Sequence, residues 1–210
     1  MRAVVFDLDG TLADTVDDIH LSMNLALAEF GLAPVTRRKI FESVGGGVAW
    51  LMEQVVERPT LRPAALVRFT SLYGDHLVEK TALFPGTREA LEALRGLKLA
   101  VLSNKPAAMT KRIVETLGVA HFFQVVLGGD SLPVRKPDPA TLKRTCELLG
   151  VEPRETMLVG DSRFDVQTAK SAGAVACAVT WGYAKPGELE GADYVVDSFA
   201  EVVEVARKTA

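Results

Sequence analysis

The chain of 210 residues holds only two cysteines, Cys146 and Cys177, too few for the disulfide framework of a small secreted fold. Histidine is also scarce. His20, His76 and His121 stand far apart, with no cysteine or glutamate partner at a metal-ligand spacing. There is no excess of basic residues: Lys and Arg total 24 against 27 for Asp and Glu, a net charge of −3. That balance argues against a nucleic-acid binder, whose phosphate contacts need a basic surface. No run reaches the roughly 18 uncharged apolar residues of a membrane span. The strongest stretch, residues 172–184, is broken by Gly173, Thr180 and Gly182. Asp7 and Asp9 stand where a signal peptide would need its apolar segment. A soluble, cytoplasmic protein is expected. What the chain has in quantity is apolar surface, 48% hydrophobic residues, enough to build a core without covalent help.

Two kinds of apolar segment alternate. Near-continuous runs at residues 3–6, 97–102, 122–127, 156–159, 174–180 and 194–196 suit parallel strands covered on both faces. Between the later runs lie helical spacings. Met109, Ile113 and Leu117 fall four apart between Pro106 and Gly118; Leu142, Cys146 and Leu149 follow Asp138-Pro139 and stop at Gly150. This alternation predicts an α/β fold with a doubly wound parallel sheet, a Rossmann-like core. Residues 15–81 break the rhythm. Val16, Ile19, Met23, Leu27 and Phe30 mark one helix; Ile40, the 48–55 segment and the run Leu66, Phe69, Tyr73, Leu77 mark others. The expected organisation is a core of residues 1–14 and 82–210 carrying a helical insert at 15–81, with hinges near 13–16 and 81–85.

The first strand runs into Asp7-Leu8-Asp9-Gly10-Thr11. Residues i and i+2 of a strand point the same way, so Asp7 and Asp9 should project together at a carboxyl end, where α/β sheets place ligands. Paired carboxylates need a cation or a shared proton to relieve them. Three more polar clusters follow predicted strands: Ser103-Asn104 at a helix start, Lys136 on a proline-stiffened loop, and Gly160-Asp161-Ser162 with Asp165. A helix start favours anions, and Asp161 and Asp165 lie one turn apart. Singly, each reads as a cap, a solvated charge or a turn. At successive ends of one parallel sheet they would meet in one crevice.

In this order the segments resemble the four motifs of the haloacid dehalogenase superfamily of phosphatases, and the insert resembles that superfamily's cap. Ser103-Asn104-Lys105-Pro106, Gly128-Gly129-Asp130, Lys136-Pro137-Asp138-Pro139, Trp181-Gly182-Tyr183 and Val44-Gly45-Gly46-Gly47 are similar to segments of phosphoglycolate phosphatases. Ser103 stands where those enzymes often have Thr, and Phe164 where Asn is common. The resemblance implies an aspartyl-phosphate mechanism, with Asp7 as nucleophile and Asp9 as acid and then base. It places Thr11, Ser103, Asn104, Lys136 and Gly46 around the phosphoryl group and substrate. It implies Mg2+ held by Asp7, the Asp9 carbonyl and Asp161, with Asp165 in support. Charge favours a cation: four ionised carboxylates and Lys136 leave −3, which would repel a phosphate ester. The implied substrate is a small phosphomonoester, 2-phosphoglycolate first.

Other polar features read as structural. Asp14, Asp17 and Asp18 suit a helix N-terminus, Arg37-Arg38-Lys39 a solvated helix face, and Trp50 and Trp181 packing. Gly45-Gly46-Gly47 fits either a helix–helix turn or a substrate-reading loop. A sugar phosphomutase of the β-phosphoglucomutase kind would share Asp7 and Asp9 but need room for a second phosphate. A phosphorylated receiver module would leave Asp9 and the insert unexplained. Oligomeric state is not encoded in any pattern visible here.

Overall fold

The computed structural model describes residues 1–185 and 187–208. In chain order it contains β1 (Ala3–Phe6), β2 (Ala13–Asp14), α1 (Val16–Glu29), α2 (Arg37–Phe41), α3 (Val48–Val55), α4 (Arg62–Asp75), β3 (Ala82–Leu83), α5 (Thr87–Ala93), β4 (Lys98–Leu102), α6 (Ala107–Thr116), β5 (Val125–Leu127), α7 (Pro139–Leu149), β6 (Thr156–Gly160), α8 (Arg163–Ala172), β7 (Val175–Val179), β8 (Tyr194–Val196) and α9 (Phe199–Lys208).

Six strands form one parallel sheet in the order β5-β4-β1-β6-β7-β8. The chain leaves β1 toward β4 and β5, then returns to the other side of β1 as β6. The carboxyl end of β1 is therefore the switch point where such sheets open a crevice. All four residues of β1 are fully buried, and the two-residue period sorts them. Val4 and Phe6 join a cluster with Leu91, Ile113 and Val202 of α5, α6 and α9. Ala3 and Val5 face Leu142, Cys146, Val166 and Ala169 of α7 and α8. Burial on both faces is why the run is apolar without alternation.

The insert is helical, as its spacing predicts, and α1 packs along α4. Its apolar faces, including Ile19, Met23, Leu51, Phe69 and Tyr73, continue the first of those two clusters. The two-residue strands β2 and β3 pair antiparallel, where the chain enters and leaves the insert. They are too short for any periodicity to announce. Asp18, fully buried, does more than charge a helix start. Its carboxylate accepts from the N–H groups of Glu79, Lys80 and Thr81 at 2.8–3.0 Å and from the Thr81 hydroxyl at 2.7 Å. That fixes the returning chain against α1.

One strand is shorter than its apolar run implies. Residues 120–122 form a 3-10 turn, and only Val125–Leu127 join the sheet. At this edge the side-chain carbonyl of Gln124 takes the Leu99 N–H at 2.6 Å while its own N–H reaches the Leu99 carbonyl at 2.9 Å. A side chain thus replaces the backbone at the point where the ladder would otherwise extend. No helix among the described residues is long and apolar enough to cross a membrane.

Candidate active site

Beyond Phe6 the chain carries Asp7 to the mouth of the sheet, its N–H still bonded to the Val159 carbonyl of β6 at 2.9 Å. Oδ1 of Asp7 accepts from the Leu8 N–H at 2.7 Å and lies 3.1 Å from Nζ of Lys136. Lys136 reaches Oδ1 of Asp165 at 2.6 Å. Asp165 is fixed from α8, where Ser162 donates to its Oδ2 through both hydroxyl, 2.5 Å, and N–H, 3.2 Å. Asp161 receives the Thr11 hydroxyl at 3.1 Å and the Tyr183 N–H at 2.6 Å. One carboxylate oxygen each from Asp7, Asp161 and Asp165 lies within 4.8 Å of the others. The carboxylates are packed so closely that a Cβ on Gly10 would sit 2.2 Å from Asp161 Oδ2, and one on Gly182 2.3 Å from Asp161 Cβ.

The trio is almost wholly buried, and the cost shows in its protonation. Burial, with the charges of Asp165 and Asp9, pushes the Asp7 carboxyl up to about 7 against the pull of Lys136. Burial, then Asp7 and Asp165, holds Asp161 well above the usual carboxylate range. Lys136 behaves oppositely: burial works against its charge, but Asp165 and Asp7 outweigh that and raise it above the ordinary lysine value. The lysine is therefore the secure charge, and full ionisation of the trio calls for a further cation. A buried set of carboxylate oxygens without nitrogen or sulfur is the donor chemistry of a hard divalent ion, and it fits Mg2+.

Asp9 gives no carboxylate oxygen to this trio. Its Oδ1 accepts the Thr15 hydroxyl at 2.6 Å and lies 3.2 Å from Nζ of Lys105. Oδ2 makes no hydrogen bond among the described residues. Thr15 does not stand out in the sequence, and Lys105 appears there only within the Ser103-to-Pro106 segment, with no role of its own. With Lys105 added, two lysines face four carboxylates, so the count falls from −3 to −2 and one divalent cation would neutralise it.

The remaining expected residues divide by role. Ser103 lines the cavity beside Asp7 and Asp9. Asn104 is a strut: its amide donates to the carbonyls of Gly45, 2.9 Å, and Lys136, 3.0 Å, while its oxygen accepts the Lys136 N–H at 3.0 Å. The backbone N–H groups of Asp9 and Asn104 donate to no acceptor among the described residues, leaving donors for anionic oxygens. Thr11 spends its hydroxyl on Asp161 and is fully buried. In the glycine loop, Gly45 and Gly47 line the cavity, whereas Gly46 is pressed against Trp50. Trp50 meets Phe164 edge-on at 6.3 Å, and Trp181 packs on Phe199. His20, His76 and His121 bond or stack on Val35, Glu79 and Phe122, away from the acidic trio. Arg37 pairs with Asp17 at 2.5 Å and Arg38 with Glu42 at 2.7 Å on the exposed face expected for them.

A parallel sheet with acidic residues at the ends of β1 and β6, a lysine between them and a helical insert above defines the haloacid dehalogenase class of hydrolases. The family model for haloacid dehalogenase-like hydrolases matches residues 4–179, and the chain belongs to that family. It is 37% identical over 216 residues to the phosphoglycolate phosphatase of Chromobacterium violaceum, covering 99% of this chain and 97% of that protein. It is 37% identical over 187 residues to the phosphoglycolate phosphatase of Aquifex aeolicus, covering 88% and 87%. A crystal structure from Haemophilus somnus, described as a predicted phosphoglycolate phosphatase, superposes with a TM-score of 0.92 at 32% identity, covering 98% and 97%.

Proposed function

We propose that this chain is a Mg2+-dependent phosphomonoester hydrolase that works through an aspartyl-phosphate on Asp7, with 2-phosphoglycolate as its substrate. One observation carries the reading: Asp7 and Asp9 leave the same strand for the same cavity, one carboxylate tied to Lys136 and the acidic trio, the other held by Thr15 and Lys105. The names of the most similar curated relatives support the substrate.

In the first step an Asp7 oxygen bonds to phosphorus as the ester P–O bond breaks, and Asp9 gives its proton to the departing alkoxide through Oδ2. In the second, Asp9 takes a proton from water, which attacks phosphorus and returns Asp7 as a carboxylate. Lys136, Ser103 and the N–H groups of Asp9 and Asn104 hold the phosphoryl oxygens. Asp7, the Asp9 carbonyl and Asp161, with Asp165 in support, would hold Mg2+, which would supply positive charge to the transferring group. A general acid contributes roughly 10²–10⁴ in rate, whereas enzymic acceleration of monoester hydrolysis can reach about 10²¹. Positioning and charge must supply the larger share.

Residues 15–81 serve as a cap hinged at both crossings, closing over small esters and excluding water. Phosphate release from a panel of phosphomonoesters tests the proposal. Small esters, 2-phosphoglycolate foremost, should exceed nucleotides in kcat/KM, and EDTA or Asp161→Ala should abolish turnover. Full activity after EDTA treatment would remove the metal. Equal values for nucleotides and small esters would remove the closing cap. A bisphosphate intermediate without net phosphate release would make the protein a mutase.

A further inference from the structure

The cavity beside Asp7 and Asp9 is apolar on its insert side. Ile19, Val44, Val48, Leu51 and Phe69 form its walls, and Lys105 is the one cation in its lining among the described residues. Lys105 is 6% exposed. Its ammonium donates to the Tyr73 hydroxyl at 2.8 Å, lies 4.4 Å from the centre of the Tyr73 ring and stands 3.2 Å from Asp9 Oδ1. An ammonium has three donors, so two directions are taken and one is left over. The Tyr73 oxygen accepts from Lys105, and its own proton goes to no acceptor among the described residues. Burial, reinforced by the charge of Asp9, raises the Tyr73 phenol well above its usual range, so that proton is retained.

Two uncommitted donors, one of them charged, thus lie side by side between the apolar insert side of the cavity and the proposed acid. Apolar walls penalise a bare anion unless donors meet it. They do not penalise a short alkyl chain. We infer that Lys105, with Tyr73, reads an anionic group on the leaving side of the ester, and that this group is a carboxylate. A second phosphate dianion would bring two charges to a single ammonium and few donors. The inference rests on the hydrolase reading above and adds to it the residue that selects the substrate.

The test compares 2-phosphoglycolate with 2-hydroxyethyl phosphate, an ester of similar length whose end is neutral, using p-nitrophenyl phosphate as a control. The quantity to follow is the ratio of kcat/KM for the acid over the neutral ester. Lys105 also touches Asp9, so its replacement will disturb the acid for every substrate, and that common loss cancels in the ratio. Wild-type protein should favour the carboxylate ester. Lys105→Met should lower the ratio by about 10–100-fold, the range expected for a lost charged hydrogen bond. Tyr73→Phe, which keeps the ring and the lysine, should lower it by less, and it decides the matter if Lys105→Met does not fold. An unchanged ratio in the folded variants, with both esters slowed alike, would make Lys105 only a positioning residue for Asp9 and overturn the inference. Equal use of both esters by the wild type would overturn it too, leaving the hydrolase intact. Failure to turn over even p-nitrophenyl phosphate with Mg2+ present would instead be the failure of the hydrolase reading.

Discussion

The hydroxyl of Thr15 lies 2.6 Å from Oδ1 of Asp9. Thr15 is the residue that precedes α1, and its hydroxyl, turned toward Asp9, does not cap the helix. Its N–H is held at 2.8 Å by the phenol oxygen of Tyr183, whose own N–H binds Asp161. The entrance to the insert, the proposed acid and the acidic trio are therefore joined through two side chains.

Removing that hydroxyl should be felt in chemistry more than in binding. Thr15→Val keeps the shape and frees Oδ1 of Asp9 from one donor, so Oδ2 loses its fixed direction. Steady-state kinetics should show kcat lower by about tenfold, as for one lost hydrogen bond to a charged group, with KM nearly unchanged. Thr15→Ser should restore most of the rate. A purely structural hydroxyl would lower thermal stability without separating kcat from KM.

Gly10 is required twice over. Its φ is +76°, and a Cβ there would sit 2.2 Å from Asp161 Oδ2 and 2.9 Å from the Tyr183 ring. The left-handed backbone alone costs a non-glycine residue roughly 1–2 kcal/mol, and the clash adds displacement of Asp161. Gly10→Ala should fold with a lowered melting temperature and lose at least about 100-fold in activity, equivalent to about 2.7 kcal/mol. High Mg2+ should recover part of it. Near-wild-type turnover in this variant would show that Asp161 need not stand where it does.

Lys136 should be a stability residue as well as a functional one. Its ammonium is the only cation joining Asp7 and Asp165 among the described residues. Removing one member of a buried, paired set typically costs about 3–5 kcal/mol. Lys136→Met should therefore melt well below the wild type in EDTA. Mg2+ should raise the variant's melting temperature more than the wild type's, because binding to the folded state stabilises it and the variant trio is more negative. A differential scanning fluorimetry titration reads both effects. An equal Mg2+ response in the two proteins would separate Lys136 from the metal.

The sheet was legible in the sequence because its central strands are buried on both faces, so each reads as an unbroken apolar run; β1 matches its run residue for residue, and so does β8, although Tyr194 and Val195 are exposed at that edge. The β5 edge did not, since a Gln124 side chain stands in for backbone there and glutamine looks the same in a ladder or a loop. Asp7, Asp161 and Asp165 were legible as a set: Gly160-Asp161-Ser162 alone reads as a turn, but carboxylates at successive strand ends of one parallel sheet meet in one crevice. Lys105 stood in the Ser103-to-Pro106 segment that carries the resemblance but received no role of its own, because the residue that orients it, Tyr73, is distant in sequence. Gly45 and Gly47, rather than Gly46, line the cavity for a similar reason: adjacent glycines are equivalent in sequence, and the packing of Trp50 decides which is covered.

Asp9→Asn should separate the two half-reactions. The asparagine oxygen can still accept from Thr15 and Lys105, so the side chain keeps its place, and its NH₂ then occupies the position of Oδ2. That group cannot accept a proton. Loss of p-nitrophenolate needs little protonation, so Asp7 can still attack phosphorus in this variant. Water attack on the aspartyl-phosphate needs a base, and none remains at position 9. Brief mixing with p-nitrophenyl phosphate, acid quench and mass spectrometry should find phosphate on Asp7 in most molecules, with slow release afterwards. Asp7→Asn should show no phosphorylated protein at all, since an amide is a poor nucleophile. Phosphate on any residue other than Asp7, or an Asp9→Asn variant turning over at the wild-type rate, would mean that the two carboxylates at the end of β1 do not divide the reaction between them.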